Sequence, residues 1–162
     1  MAQTRITIDA ETRLIALLGW PVKHTASPRF HNAALEALGI NAVYMAFGVP
    51  PEQVRDALRG LCALGVIGAN ITVPHKEAAY AACDECSPEA KVIAAVNTVR
   101  FDGTRIIGYN TDAYGIAAAL AEEGCRMHNA NVVVMGAGGA ARAIVTQAAL
   151  DGAAQVAIVN RT

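Results

Sequence analysis

The sequence predicts an α/β fold: a mainly parallel sheet flanked by helices, followed by a separate, incomplete βαβ unit. Three observations carry this expectation. Short apolar runs bounded by glycine or proline alternate with amphipathic stretches between Leu14 and Val73. A glycine-rich turn, Gly136-Ala137-Gly138-Gly139-Ala140, stands between an apolar run and a helical one. Finally, 54% of the 162 residues are hydrophobic and only 17% charged, which is ample material for a core.

The first strand is Leu14-Ile15-Ala16-Leu17-Leu18, too short before Gly19 to be a helix. A loop with two prolines follows, and Ser27-Pro28 then suits a helix start, Ser capping and Pro next. The helix runs from Arg29 to Leu38 and stops at Gly39. Ala42 to Phe47 is a second strand, Pro50 to Leu61 a helix, and Gly65 to Val73 a third strand. Pro74 is expected at the first position of the next helix, which runs to about Cys83. After a turn at Asp84 to Pro88, residues 90 to 99 lead into another strand, and Asp102-Gly103 signals a hairpin returning through Arg105 to Gly108. Asn110 or Thr111 caps a helix from Asp112 to Glu123. Asn131 to Met135 and Val156 to Val159 are the strands of the second unit.

The bulk properties exclude several classes of function. A net charge of -1 gives no basic footprint for nucleic acid. No apolar run reaches the roughly 20 residues of a membrane span, and Met1 to Asp9 lacks the layout of a signal peptide, so a cytoplasmic location is expected. Cys83 and Cys86 form a C-x-x-C that reads as packing, a redox pair or half a zinc site; with no second C-x-x-C and no paired histidines, no metal is expected.

The candidate chemistry centres on Gly68 to Glu77. Side chains alternate along a strand, so Asn70 and Thr72 point one way, with Ile71 and Val73 opposite. Lys76 falls in the first turn of the following helix, where an ammonium is less favourable and gives up its proton more readily. Thr25 and Ser27, two apart in an extended loop, suit a carboxylate or a polyol, or simply the helix start. Asn97, polar within an apolar run, reads equally as a backbone-satisfied turn residue or a ligand contact. Asp112 is favoured at a helix start on structural grounds alone. In parallel sheets, sites form at the carboxyl ends of strands, which is where the segments around Thr25 and Lys76 fall. The turn at Gly136 is a G-x-G-x-x-A fingerprint in a βαβ context, the first unit of a Rossmann dinucleotide-binding domain. After the second strand stand Asn160-Arg161-Thr162, a cation and a hydroxyl where an acidic residue would select NAD, so NADP is expected.

These blocks, in this order, resemble the shikimate dehydrogenase family: Gly19-Trp20-Pro21-Val22 with His24 to Pro28, Gly68 to Lys76, Ala95 to Thr98, Asn110-Thr111-Asp112, Gly136 to Ala140, and Asn160 to Thr162. The resemblance covers the chain from about Leu14 onward. It implies NADP-dependent, reversible reduction of 3-dehydroshikimate to shikimate in aromatic amino acid biosynthesis. It also implies a shikimate-binding domain over residues 1–112, a linking helix over 113–129 and an NADP-binding domain from 130. By resemblance, Lys76 and Asp112 are the catalytic pair, Thr25 and Ser27 hold the substrate carboxylate, and Asn70, Thr72 and Asn97 bind ring hydroxyls. Gly136, Ala137, Gly138, Gly139, Ala140, Asn160, Arg161 and Thr162 are the cofactor-binding set. A carboxylate beside Lys76 favours its charged form, so Asp112 is assigned to orientation.

The family usually has serine at the position of Thr25; the added methyl either alters the fit to the carboxylate or hints at quinate as substrate, in a quinate/shikimate dehydrogenase using NAD, an alternative that Arg161-Thr162 opposes. The family's chains run to about two domains, so this one is expected to be truncated within its cofactor domain and inactive alone, or a non-catalytic shikimate-binding fragment. An open sheet edge in the second unit favours either association, as a homodimer, or disorder of the last roughly 30 residues.

Overall fold

A computed structural model describes residues 8–161. Among these residues the main sheet has six strands in the order β2-β1-β3-β5-β6-β4, and a second sheet pairs β7 with β8. The main-sheet strands are β1 (Arg13–Gly19), β2 (Ala42–Gly48), β3 (Gly68–Ile71), β4 (Glu85–Cys86), β5 (Thr98–Asp102) and β6 (Arg105–Tyr109). The helices are α1 (Ser27–Ala37), α2 (Val54–Ala63), α3 (Lys76–Ala82), α4 (Pro88–Ile93), α5 (Asp112–Glu122) and α6 (Gly139–Leu150). The second unit is β7 (Asn131–Met135), α6 and β8 (Gln155–Val159), with the two strands parallel.

The expected mainly parallel sheet is instead mixed. β1 runs parallel to both β2 and β3, and β4 parallel to β6, but β5 is antiparallel to β3 and to β6. The Asp-Gly signal explains half of this, because a two-residue connection can join only antiparallel neighbours. Pairing of β5 against β3 is a long-range choice that no local pattern announces. The mixed topology positions the site. Parallel strands β1, β2 and β3 bring their carboxyl ends to one edge of the sheet. Asn70 of β3 lies opposite Thr98, the first residue of β5, and Thr98 lies opposite Tyr109, the last of β6. Segments entering β5 and leaving β6 therefore reach the same edge.

The core follows the sequence pattern. Ala16, Leu18, Ala69 and Ile71 of the central strands pack with Val54, Leu58 and Cys62 of α2 and Ala79 and Ala82 of α3. On the opposite face Leu17, Ala42 and Tyr44 pack with Leu35 of α1. Helix α1 ends as expected: Gly39 takes φ +64°, and Ile40 N–H reaches back to Leu35 O at 2.9 Å.

Two local expectations are corrected. Ser27 is the first residue of α1 rather than its cap; Ala26 occupies that position, and Thr25 Oγ1 accepts from Ser27 N–H at 3.2 Å. Pro74 does not open α3. It follows a cis peptide bond within a turn, and the helix begins at Lys76, with the His75 N–H bonded to Thr72 O at 2.9 Å. Residues 84–97 also hold more structure than a turn: the short strand β4, then α4 capped by Ser87, whose Oγ accepts from Ala90 N–H at 3.2 Å. No helix among the described residues is long and apolar enough to cross a membrane.

Candidate active site

The site is built at the sheet edge just described. Lys76 stands at the first position of α3, and two backbone contacts hold that helix start. Val96 N–H donates to Lys76 O at 2.9 Å, and the buried His75, one residue earlier, donates from Nε2 to Val49 O at 2.8 Å. Since a carbonyl can only accept, the ring nitrogen nearest it carries the proton. Asp112 stands at the first position of α5, where Asn110 fixes its backbone: Asn110 Oδ1 accepts from Asp112 N–H at 3.0 Å, while its Nδ2 donates to Ala95 O at 2.9 Å.

These two starts bring Lys76 Nζ within 2.6 Å of Asp112 Oδ2, with side-chain exposures of 15% and 23%. The other carboxylate oxygen, Oδ1, accepts from Asn97 Nδ2 at 2.8 Å. Both oxygens of Asp112 thus have fixed donors, and such charge-assisted bonds are the stronger kind. Asn97 is in turn held on every side. Its Nδ2 also donates to Thr111 Oγ1 at 2.9 Å, and its Oδ1 accepts from Thr98 Oγ1 at 3.0 Å and Thr111 N–H at 3.1 Å. Thr98 Oγ1 accepts from Asn70 Nδ2 at 3.2 Å, and Asn70 Oδ1 accepts from Tyr44 Oη at 2.8 Å. One hydrogen-bonded chain therefore links Tyr44, Asn70, Thr98, Asn97, Asp112 and Lys76 across three strands and two helices. Burial pushes the Tyr44 hydroxyl up to about 12, so it remains a donor at neutral pH.

Of the candidate residues, Lys76, Asp112, Asn97 and Asn70 are brought into this one network. Thr25 and Ser27 form a second pair, Thr25 Oγ1 donating to Ser27 Oγ at 3.1 Å, in the segment after β1 and so at the same edge. Thr72 directly follows β3, and its Cγ2 lies only 2.5 Å from where a Cβ on Gly19 would sit, so glycine at 19 permits that approach. Tyr44, Thr98 and Thr111 are members that sequence reasoning misses. Only alternation along β2 marks Tyr44 as sharing a face with other inward residues, and nothing local points it at Asn70.

The glycine-rich turn approaches from the second unit. Gly136 adopts φ +110°, a conformation that glycine tolerates, and its N–H bonds to Val159 O at 2.8 Å. A Cβ built on Gly136 or Gly138 would meet nothing within 4 Å, so the turn presents open backbone ahead of the twelve-residue helix α6. A cleft of about 400 Å³ separates Val73, Lys76 and Glu77 from Met135, Gly138 and Ala141. Open backbone, a positive-φ glycine and a helix start beside a cleft fit a dinucleotide pyrophosphate. Arg161 lies exposed just beyond β8 and is available to a phosphate, while Thr162 lies outside the described residues.

Comparison with known proteins identifies the family. Residues 17–99 match the family model for the shikimate dehydrogenase substrate binding domain. The chain belongs to this family. Shikimate dehydrogenase (NADP(+)) of Methanopyrus kandleri is 49% identical over 158 residues, 97% of this chain and 54% of that protein. The shikimate dehydrogenase of Aquifex aeolicus superposes with a TM-score of 0.91 at 42% identity, over 96% of this chain and 58% of that one. The Thermus thermophilus enzyme, solved in complex with NADP(H) and shikimate, gives a TM-score of 0.83 at 41% identity, over 93% of this chain and 56% of that one. The chain therefore spans about half the length of the shikimate dehydrogenases it matches.

Proposed function

We propose that this chain carries the substrate site and the first cofactor-binding elements of an NADP-dependent shikimate dehydrogenase, reversibly converting 3-dehydroshikimate to shikimate. The observation that carries this reading is the Lys76–Asp112 pair, 2.6 Å apart, at a polar sheet edge that faces a glycine-rich turn. Supporting it, the similar enzyme of Thermus thermophilus was solved with shikimate and NADP(H) bound.

When bound, NADPH supplies the hydride that reduces the ketone carbon. The chain's own residues supply placement and the proton. Lys76 Nζ gives a proton to the ketone oxygen as it becomes a hydroxyl, and takes it back in the reverse direction. Asp112 aims the ammonium, and Asn97, bonded to its far oxygen, prevents the carboxylate from turning away. Thr25 and Ser27 hold the substrate carboxylate, and Asn70, Thr72 and Asn97 receive the ring hydroxyls. Gly136 to Ala140 seat the pyrophosphate, with Asn160, Arg161 and Thr162 at the 2′-phosphate. On this reading residues 1–112 form the substrate unit, 113–129 the connection, and 130–162 belong to the cofactor unit.

The test is NADP+ reduction by a full-length form of this chain with shikimate and with quinate. Shikimate should be oxidised; no turnover on either acid would sink the proposal, and faster turnover of quinate would reassign the substrate. Lys76→Ala should lower kcat by about 10²–10⁴-fold, the usual contribution of a positioned acid–base group, with little change in shikimate affinity.

A further inference from the structure

The turn holds three glycines with three different surroundings. Gly136 has the positive φ. Gly138 faces open space on its Cβ side. Gly139 needs neither freedom: it is the first residue of α6, its φ lies outside the left-handed region, and it occupies one of the unrestricted positions in the G-x-G-x-x-A fingerprint. What lies close there is the other unit. A Cβ on Gly139 would lie 3.0 Å from Lys76 Cβ, 3.2 Å from Lys76 Cδ and 3.3 Å from Ala95 Cβ. Ordinary carbon contacts are about 3.5–4.0 Å, so a methyl at 139 obliges the lysine stem or Ala95 to give way by a few tenths of an ångström.

We infer that Gly139 is a positioning residue for Lys76: the dinucleotide turn forms one wall of the socket that holds the lysine stem, while Asp112 holds its head. The catalytic weight of this inference rests on the function proposed above, but the contact does not. Two further contacts brace the same joint. Glu77, next to Lys76, accepts from Arg142 of α6 at 3.1 Å. Ile93 and Ala95 pack with Ala113 of α5 and Ala143 of α6 in a small buried cluster. These contacts join the turn and α6 to the segments that carry Lys76 and Ala95.

The chain has three lysines, Lys23, Lys76 and Lys91, so two internal references accompany Lys76 in a labelling experiment. Reductive methylation read by mass spectrometry should label Lys76 several-fold faster in Gly139→Ala than in the parent, relative to Lys23 and Lys91. Gly138→Ala, whose new methyl meets open space, should leave that ratio at the parent value. In the full-length form, Gly139→Ala should lower kcat by about threefold to tenfold with shikimate affinity changed far less, as a small misplacement of a reacting group does. An unchanged Lys76 ratio in Gly139→Ala, or equal changes in the two glycine variants, overturns the inference whether or not the full-length form turns over. Should the variants not fold, the unsubstituted chain decides: nuclear Overhauser contacts between the Gly139 α-protons and the Lys76 β- and δ-protons are expected, and their absence overturns it.

Discussion

Asn97 joins more of the site than any other side chain, since its amide meets Asp112, Thr111 and Thr98 at once. Asn97→Asp keeps the shape but turns the donor facing Asp112 Oδ1 into a second carboxylate. The loss of a charge-assisted bond plus like-charge repulsion should cost about 2 kcal/mol, seen as a lower denaturation midpoint. An unchanged midpoint would contradict the network as drawn. Tyr44→Phe removes a single neutral bond to Asn70 and should cost about 1 kcal/mol. Cys83 and Cys86 sit where burial disfavours a thiolate. Burial pushes the Cys83 thiol up to about 12, with Cys86 adding to the rise, and both thiols are free. Alkylation at pH 8 should therefore reach exposed Cys125 well before Cys83, and preferential loss of Cys83 would revive the redox reading. At this scale the sequence shows the charged and amide members of the site, Lys76, Asp112, Asn97 and Asn70, because polar residues stand out against apolar runs. It hides Tyr44, Thr98 and Thr111, whose partners lie on other elements.

At the scale of elements, close approach explains where small residues are obligatory. A Cβ on Gly108 of β6 would sit 2.6 Å from both Cys83 Sγ and Val96 Cγ2, so this strand leaves room for the thiols behind it. Gly108→Ala should lower stability by about 1–3 kcal/mol through overpacking, measurable as a shift in urea midpoint at constant m-value. Gly68 of β3 has even less space, with the Val99 backbone against its Cβ position. The existence of nearly every strand and helix is legible from apolar runs and turn residues, because those signals are local. The reversal at β5 and the turn at Pro74 are not, since strand direction depends on which distant edge is available. The short α4 escapes a sequence reading because six residues show too little periodicity.

For the molecule as a whole, one ion pair ties distant parts of the main unit. Arg59 of α2 grips Asp84 before β4, with contacts of 2.5 and 2.9 Å, and Asp84 Oδ2 also accepts from Ile106 N–H of β6 at 2.7 Å. Arg59 first and the Ile106 N–H second hold the Asp84 carboxyl down to about 2. A folded value below the unfolded one means that this stabilisation is complete above the ordinary aspartate range and is lost as pH falls toward about 2. Melting temperature against pH should therefore fall more steeply between about pH 4 and 2 in the parent than in Asp84→Asn, with the variant the less stable at pH 7. Parallel profiles would remove Asp84 from the account. The second sheet, β7 with β8, is legible from the glycine turn and its flanking strands. The contact of that turn with Lys76 is not, because it joins distant residues through a missing side chain rather than a present one.

The order of strands along the chain also fixes an order of events during synthesis. Lys76 leaves the ribosome 36 residues ahead of Asp112, and β3 is made before the β5–β6 hairpin that will lie along it. Until that hairpin docks, a growing chain presents β3 as a bare edge, open to pairing with a neighbouring nascent chain. Thr98 belongs to both events: it pairs opposite Asn70 along this vulnerable edge and bonds Asn70 and Asn97 in the polar network, so closing the edge also begins to join the network.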